Sequence, residues 1–367
     1  MSVATRKLIT VVGARPQFIK ASALSRALRG HSRIEERLVH TGQHYDADMS
    51  AVFFEELDIP EPARHLGVSG GTHGEQTGRM LEQVERVLLE EKPAGVLVYG
   101  DTNSTLAGAL AAAKLHVPVF HVEAGLRSFN RKMPEEVNRV LTDHVATALL
   151  CPTRTAVENL ANEGIRDEVH LVGDVMYDVT LGIAESADTR SKFRTSNLGD
   201  RQFVLATMHR AENTDDPTRL RAVLAALGVI ARRLPVVFPM HPRTRERMAR
   251  AELELPGGVE AMAPLGFVDM AWLERHAAAI VTDSGGVQKE AYFHRTPCVT
   301  IRTESEWVET IEAGWNRLAD PRDADAIVAA LDLSLGTSVE RRDIHDYGEG
   351  DAAARIVDVV DRIIGRP

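Results

Sequence analysis

Residues 95–139 read GVLVYGDTNSTLAGALAAAKLHVPVFHVEAGLRSFNRKMPEEVNR, and the fold of the chain is decided in this stretch. Two apolar runs, 96–99 and 117–122, lead to carboxylates, Asp101 and Glu123, at the points where buried parallel strands leave a sheet. Between them, 104–115 is an alanine-rich helix with a Ser or Thr available to cap it, so strand, helix and strand form a βαβ unit. A polar loop, 125–133, then reaches Pro134, with Glu135 and Glu136 in the next first turn, where proline and acids suit a helix start. A loop acid or helix-capping acid explains any one of these carboxylates. Several of them at strand exits face a ligand, because open parallel sheets bind ligands beyond the carboxyl ends of their strands.

The chain has 367 residues, 44% hydrophobic and 26% charged, enough for two cores, which predicts two α/β domains. A net charge of −10, with no interleaved basic and aromatic cluster, excludes a non-specific nucleic-acid surface. Cys151 and Cys298 each sit inside an apolar run and read as small core residues in a reducing compartment, not as a disulfide framework. No apolar run approaches the roughly 18 residues of a membrane span, and the amino terminus passes from a short basic tail into a strand. The expectation is a soluble cytoplasmic protein with no membrane partner.

The first domain, 1–172, carries strands at 7–12, 37–40, 96–99, 117–122, 146–151 and 169–172. Its first strand turns at Gly13-Ala14-Arg15-Pro16 into a helix starting near Gln17. Arg15 and Lys20 at that junction are either solvated surface residues or diphosphate ligands. His44 follows the second strand, 67–78 is a glycine-rich exposed loop, and 80–91 is an amphipathic helix. The second domain, 173–351, repeats the pattern with strands at 203–207, 236–239, 259–261, 278–281 and 298–301. Its exits carry Met208-His209-Arg210, His241-Pro242-Arg243 and Asp283-Ser284-Gly285-Gly286. The last of these opens a helix and exposes backbone N–H groups to an anion. The loose fingerprint Gly348, Gly350, Ala353 follows no strand, so NAD is not supported, and no Walker A sequence occurs. Two facing α/β domains with polar exits imply a cleft suited to a nucleotide-sugar. His209, His241, Asp101 and Glu123 are the groups to consider for a metal, but they lack ligand spacing, and neither metal nor cofactor is expected.

Eight ordered segments resemble the non-hydrolysing UDP-N-acetylglucosamine 2-epimerase family: GARPQFIK (13–20), TGQH (41–44), GDTNST (100–105), HVEAGLR (121–127), PEEVNR (134–139), MHRAEN (208–213), HPRTR (241–245) and DSGGVQKEA (283–291). The resemblance implies the two-Rossmann-like-domain arrangement of the GT-B fold, with the terminal helix 352–367 packing back on the first domain. It implies interconversion of UDP-GlcNAc and UDP-ManNAc. C2 is not next to a carbonyl, so UDP leaves C1 first, in an anti elimination that gives a 2-acetamidoglucal. UDP then re-adds with protonation from the other face, which requires proton-handling groups on both faces.

By the same resemblance Asp101, Glu123 and Glu135 are candidate acid/base carboxylates, and His209 is a proton donor or a diphosphate ligand. Arg15, Lys20 and Arg139 would hold the intermediate or diphosphate. Ser284, Gly285, Gly286 and Glu290 fit the uridine-diphosphate site, with His241 and Phe267 as further substrate contacts. Glu290 is otherwise an exposed helix acid. A homodimer serving polysaccharide biosynthesis is expected. Glu306-Trp307-Val308-Glu309 replaces the usual ERPE, and the residues after Gln43-His44, with 70–72, lack the basic group of the family's regulatory site, so activation by UDP-GlcNAc is not expected. These variants look like the branch acting on UDP-2,3-diacetamido-2,3-dideoxy-glucuronate, for whose carboxylate Arg302, His44 and Lys132 are candidate partners. A retaining GT-B glycosyltransferase and a nucleotide-sugar binding protein without catalysis are the competing readings.

Overall fold

The computed structural model describes residues 5–43, 59–336 and 340–365, so His44 lies outside the described residues. The chain divides into two units, Met1–Val179 with His345–Pro367, and Thr180–Ile344. The first unit holds β1 (Arg6–Val12), β2 (Ile34–His40), β3 (Arg64–His65), β4 (Gly95–Tyr99), β5 (Val119–Val122), β6 (Ala148–Cys151) and β7 (Val169–Leu171). All pair in parallel, in the order β3-β2-β1-β4-β5-β6-β7. The second unit holds β8 (Val204–Thr207), β9 (Val236–Pro239), β10 (Val259–Met262), β11 (Ala279–Thr282), β12 (Cys298–Thr300) and β13 (Asn316–Leu318), parallel in the order β10-β9-β8-β11-β12-β13. The architecture is α/β, with two parallel sheets whose strands are linked mostly by helices. Among the described residues no helix is long and apolar enough to cross a membrane.

The apolar runs become strands because a sheet covered by helices on both faces buries every side chain, as all five residues of β4 show. The helix Asn103–Lys114 is buried along nearly its whole length between the sheet and the helices His73–Glu91 and Pro134–Val145. Alanine suits that crowding, and Gly108 suits it better: a Cβ there would lie 3.1 Å from Val98 and 3.3 Å from Val11. In the second unit Leu220, Leu224 and Leu227 of the helix Pro217–Ala231 pack with Phe238, Ile327 and Leu331 around the sheet. The closing helix Ala352–Ile364 packs on the helix Arg15–Arg29, and its first N–H groups are capped by Asp178, which accepts from Ala353 N at 2.8 Å and Ala352 N at 3.2 Å.

One expected loop is corrected. The helix expected over 80–91 begins at His73, because Thr72 and Glu75 form a reciprocal capping box that starts it inside the glycine-rich segment. Two short polar strands, β3 and β13, were absent from the expectation; both lie at sheet edges, where no long apolar run is needed.

Candidate active site

The chain direction across each sheet reverses at one place, between β1 and β4 in the first and between β8 and β11 in the second. Ligands of doubly wound sheets bind beyond the strand ends at such switch points. The exits there carry Gly13–Lys20 and Asp101 in the first unit, and His209-Arg210 and Asp283-Ser284 in the second.

In the first unit each candidate acid near the switch point has a cation. The Glu123 carboxylate pairs with the Lys20 ammonium, and the two side chains are only 10% and 13% exposed. Asp101 pairs with Arg139, whose guanidinium also lies 3.3 Å from Glu136. Asn138 holds the Asp101 carbonyl at 3.0 Å, so neighbouring residues of the helix Pro134–Val145 grip both ends of Asp101. Glu123 adopts a left-handed backbone (φ 70°), as does Gly100 (φ 61°) just before Asp101. A Cβ on Gly100 would lie 3.2 Å from the Glu123 carboxylate, which brings the two acid-bearing turns together. Lys20 and Glu123 line a small recess with Val122, Pro152, Gly173, Asp174 and Val175. Asp174, a buried acid that the sequence reading passed over, caps the helix Val175–Arg190 by accepting from Met176 N at 2.7 Å.

Glu135 and Glu136 part company. Glu135 is exposed, whereas Glu136 is buried and accepts from Ser128 N, Phe129 N and the Ser128 hydroxyl at 2.9, 2.9 and 3.1 Å, tying the loop to the helix.

The helix starts differ in what they offer an anion. At the helix Arg15–Arg29 the Gln17 amide oxygen takes Gly13 N at 2.8 Å and Ala14 N at 3.0 Å. At Asn103–Lys114 the Gln43 amide oxygen takes Ser104 N at 2.9 Å, and Thr102 caps Thr105 N. At Gly285–Phe293 the N-cap Ser284 makes no side-chain cap bond. That helix start is therefore the one of these three suited to a diphosphate. Arg210, named from sequence only as a polar strand exit, reaches within 3.6 Å of where a Gly285 Cβ would stand; Glu306 and Trp307 Nε1 come within 3.7 and 3.9 Å. Glu290 Oε1 lies 3.8 Å from the corresponding point on Gly286.

His209 is exposed, with Nδ1 3.5 Å from buried Asp283, whose carboxylate also accepts from His209 N and Arg210 N. Its ring centroid is 5.9 Å from that of His241, which caps the helix Pro242–Arg250 through Nδ1. Phe267 is buried at the start of the helix Phe267–His276. Trp307 is buried against the Lys289 ammonium, 4.0 Å from the ring centroid, and Glu306 is closed by a two-pronged pair with Arg302 at 3.0 Å. The Arg15 side chain lies outside the described residues. Among the described residues no three His, Cys, Asp or Glu gather as a metal site.

Doubly wound sheets of this kind, with paired acids at one switch point and an uncapped Ser-Gly-Gly helix start at the other, suit an enzyme that acts on a nucleotide-linked substrate. The sequence pattern of the family described as UDP-N-acetylglucosamine 2-epimerase matches residues 26–361. The UDP-2,3-diacetamido-2,3-dideoxy-D-glucuronate 2-epimerase of Pseudomonas aeruginosa is 51% identical over 97% of this chain and 100% of its own length. The UDP-N-acetylglucosamine 2-epimerase of Methanocaldococcus jannaschii is 42% identical over 96% and 98%. A crystal structure of the M. jannaschii UDP-GlcNAc 2-epimerase, in complex with UDP-GlcNAc and UDP, superposes with a TM-score of 0.91 at 40% identity, covering 97% of this chain and 99% of that one. The chain belongs to the UDP-N-acetylglucosamine 2-epimerase family. It is an isomerase with a fold of the GT-B type.

Proposed function

We propose that this enzyme inverts C2 of a UDP-linked 2-acetamido sugar by eliminating UDP to a 2-acetamidoglucal and adding it back, with UDP-GlcNAc and UDP-ManNAc as the pair interconverted. The observation that carries this reading is the placing of two cation-paired carboxylates, Asp101 with Arg139 and Glu123 with Lys20, on adjoining turns. An ionised acid accepts the C2 proton, and negative charge beside the sugar favours the oxocarbenium character that develops at C1 as UDP departs. Glu135 is kept as the third proton-handling carboxylate. Lys20 and Arg139 act first on these acids, orienting them through the ion pairs. Ser284, Gly285 and Gly286 take the diphosphate through N–H groups, with Arg15 and Arg210 as counter-charges, His241 as a further contact, Glu290 on the ribose and Phe267 beside the base. His209 serves as proton donor or diphosphate ligand. The enzyme needs no metal or cofactor and works as a cytoplasmic homodimer serving polysaccharide synthesis.

The 51% identity to a diacetamido-glucuronate 2-epimerase favours a second reading, in which the sugar also bears a carboxylate and a C3 acetamido group. Values of kcat/KM measured side by side for the two UDP sugars decide between them. A preference for UDP-GlcNAc supports the first reading, and a preference of about 10² or more for the uronate overturns it in favour of the second.

A further inference from the structure

His121, in the middle of β5, is fully buried, and both of its ring nitrogens are committed. Nε2 lies 2.7 Å from the Gly100 carbonyl oxygen, and Nδ1 lies 2.6 Å from Asp143 Oδ1. A carbonyl oxygen only accepts, so Nε2 carries a proton. The other oxygen of Asp143 accepts from Arg127 Nη1 at 2.7 Å and from Gly125 N at 3.1 Å, and Arg127 in turn forks onto Glu163 at 2.7 and 2.8 Å. Burial acts to raise the Asp143 carboxyl, but the charges and hydrogen bonds of His121 and Arg127 outweigh it and hold it below its ordinary value. Asp143 is therefore held as a carboxylate, bonded to Arg127 and set against His121 Nδ1. His121 is the last member of a hydrogen-bonded chain that runs Glu163, Arg127, Asp143, His121.

This pair holds both acid-bearing turns. His121 fixes the carbonyl of Gly100, the residue before Asp101, while Gly100 N donates to Val122 O at 3.0 Å. Asp143 fixes the N–H of Gly125, two residues after Glu123. The Glu123–Gly125 turn has little slack: Gly125 sits at φ 79°, and a Cβ there would lie 2.3 Å from Ala156 O. We propose that His121, held between the Asp143 carboxylate and the Gly100 carbonyl, is the positioning residue that sets Asp101 and Glu123 for proton transfer at C2. The inference rests on the C2-epimerase reading. His121 touches no substrate in it and acts through the two turns.

Two measurements test it. In the full-length wild type labelled with ¹⁵N-histidine, and with the resonance assigned by comparison with His121→Asn, Nε2 of His121 is to show the shift of a protonated, hydrogen-bonded nitrogen; an unprotonated Nε2 overturns the proposal. In His121→Asn, exchange of the C2 hydrogen of UDP-GlcNAc with D₂O falls about 10²-fold, the scale of a catalytic group displaced by about an ångström. UDP affinity and KM stay within about threefold, as for loss of an interaction felt only in the transition state. Exchange at the wild-type rate, or UDP affinity lost in the same proportion as exchange, overturns it. A wild type that exchanges C2 in neither the GlcNAc nor the uronate sugar fails the epimerase reading itself, and this role of His121 falls with it.

Discussion

Replacing Lys20 with Met removes the ammonium from the Glu123 carboxylate and leaves a methylene stem of similar length. With the two side chains 13% and 10% exposed, the pair stands close to the buried limit. Breaking a buried pair costs about 3–5 kcal/mol and an exposed one no more than about 1, so the residual exposure sets the expected loss at roughly 2–4 kcal/mol. For a domain of this class, that lowers the thermal midpoint by roughly 5–12 °C. Glu123→Gln strands the ammonium instead and costs a comparable amount. In Lys20→Met with Glu123→Gln nothing charged is left stranded, so the double variant is more stable than the sum of the two losses by about 2 kcal/mol. Turnover behaves otherwise: each variant loses about 10² in kcat, and the double variant does not regain it, because the proton acceptor is gone. Thermal unfolding of the four proteins, with kcat measured on the same samples, makes the cycle. Stability losses that add to within about 0.5 kcal/mol would refute the coupling.

Gly285→Ala places a methyl group 3.6 Å or more from every other side chain, so the fold is unaffected while the approach to the helix start narrows. Calorimetric titration with UDP is expected to show affinity lower by about tenfold, or 1.4 kcal/mol, and unchanged affinity removes this turn from the diphosphate site. His40 is held down to about 4 by burial and by His65, and His294 to about 3 by burial and then by Arg275, Arg201 and His276, against an ordinary value of 6.5. The unfolded chain therefore takes up these protons first, so their contribution is whole above about pH 6.5 and is lost as pH falls through 6.5 toward 4. The thermal midpoint should decline between pH 7 and 5, with a shallower decline in His40→Gln, and a flat wild-type profile over that window contradicts it.

The strands of residues 95–139 were legible because an apolar run with acids at its exit has one stable place in a covered parallel sheet, and β4 and β5 lie there. The exits were legible for the same reason. The partners of the acids were not, since Lys20 meets Glu123 from 103 residues away and His121 meets Asp143 from 22. Part of that information was present as spacing. Glu136, Arg139, Val140 and Asp143 recur at i, i+3, i+4 and i+7, which makes them the inward face of their helix and turns Glu135 outward. The short strands β3 and β13 carry no apolar period and exist because a neighbouring strand, β2 for β3 and β12 for β13, offers its edge.

Proton exchange at C2 driven by departure of UDP is tested most directly by giving the enzyme UDP-GlcNAc alone in D₂O. Deuterium is expected at C2 of the epimerised product and of recovered substrate, with UDP-ManNAc accumulating to equilibrium and no need for an acceptor or an added metal. Asp101→Asn and Glu123→Gln are to slow the exchange by about 10² or more while the fold survives. A donor that keeps its C2 hydrogen, and reacts only when an acceptor alcohol is supplied, would contradict the account and make the chain a transferase.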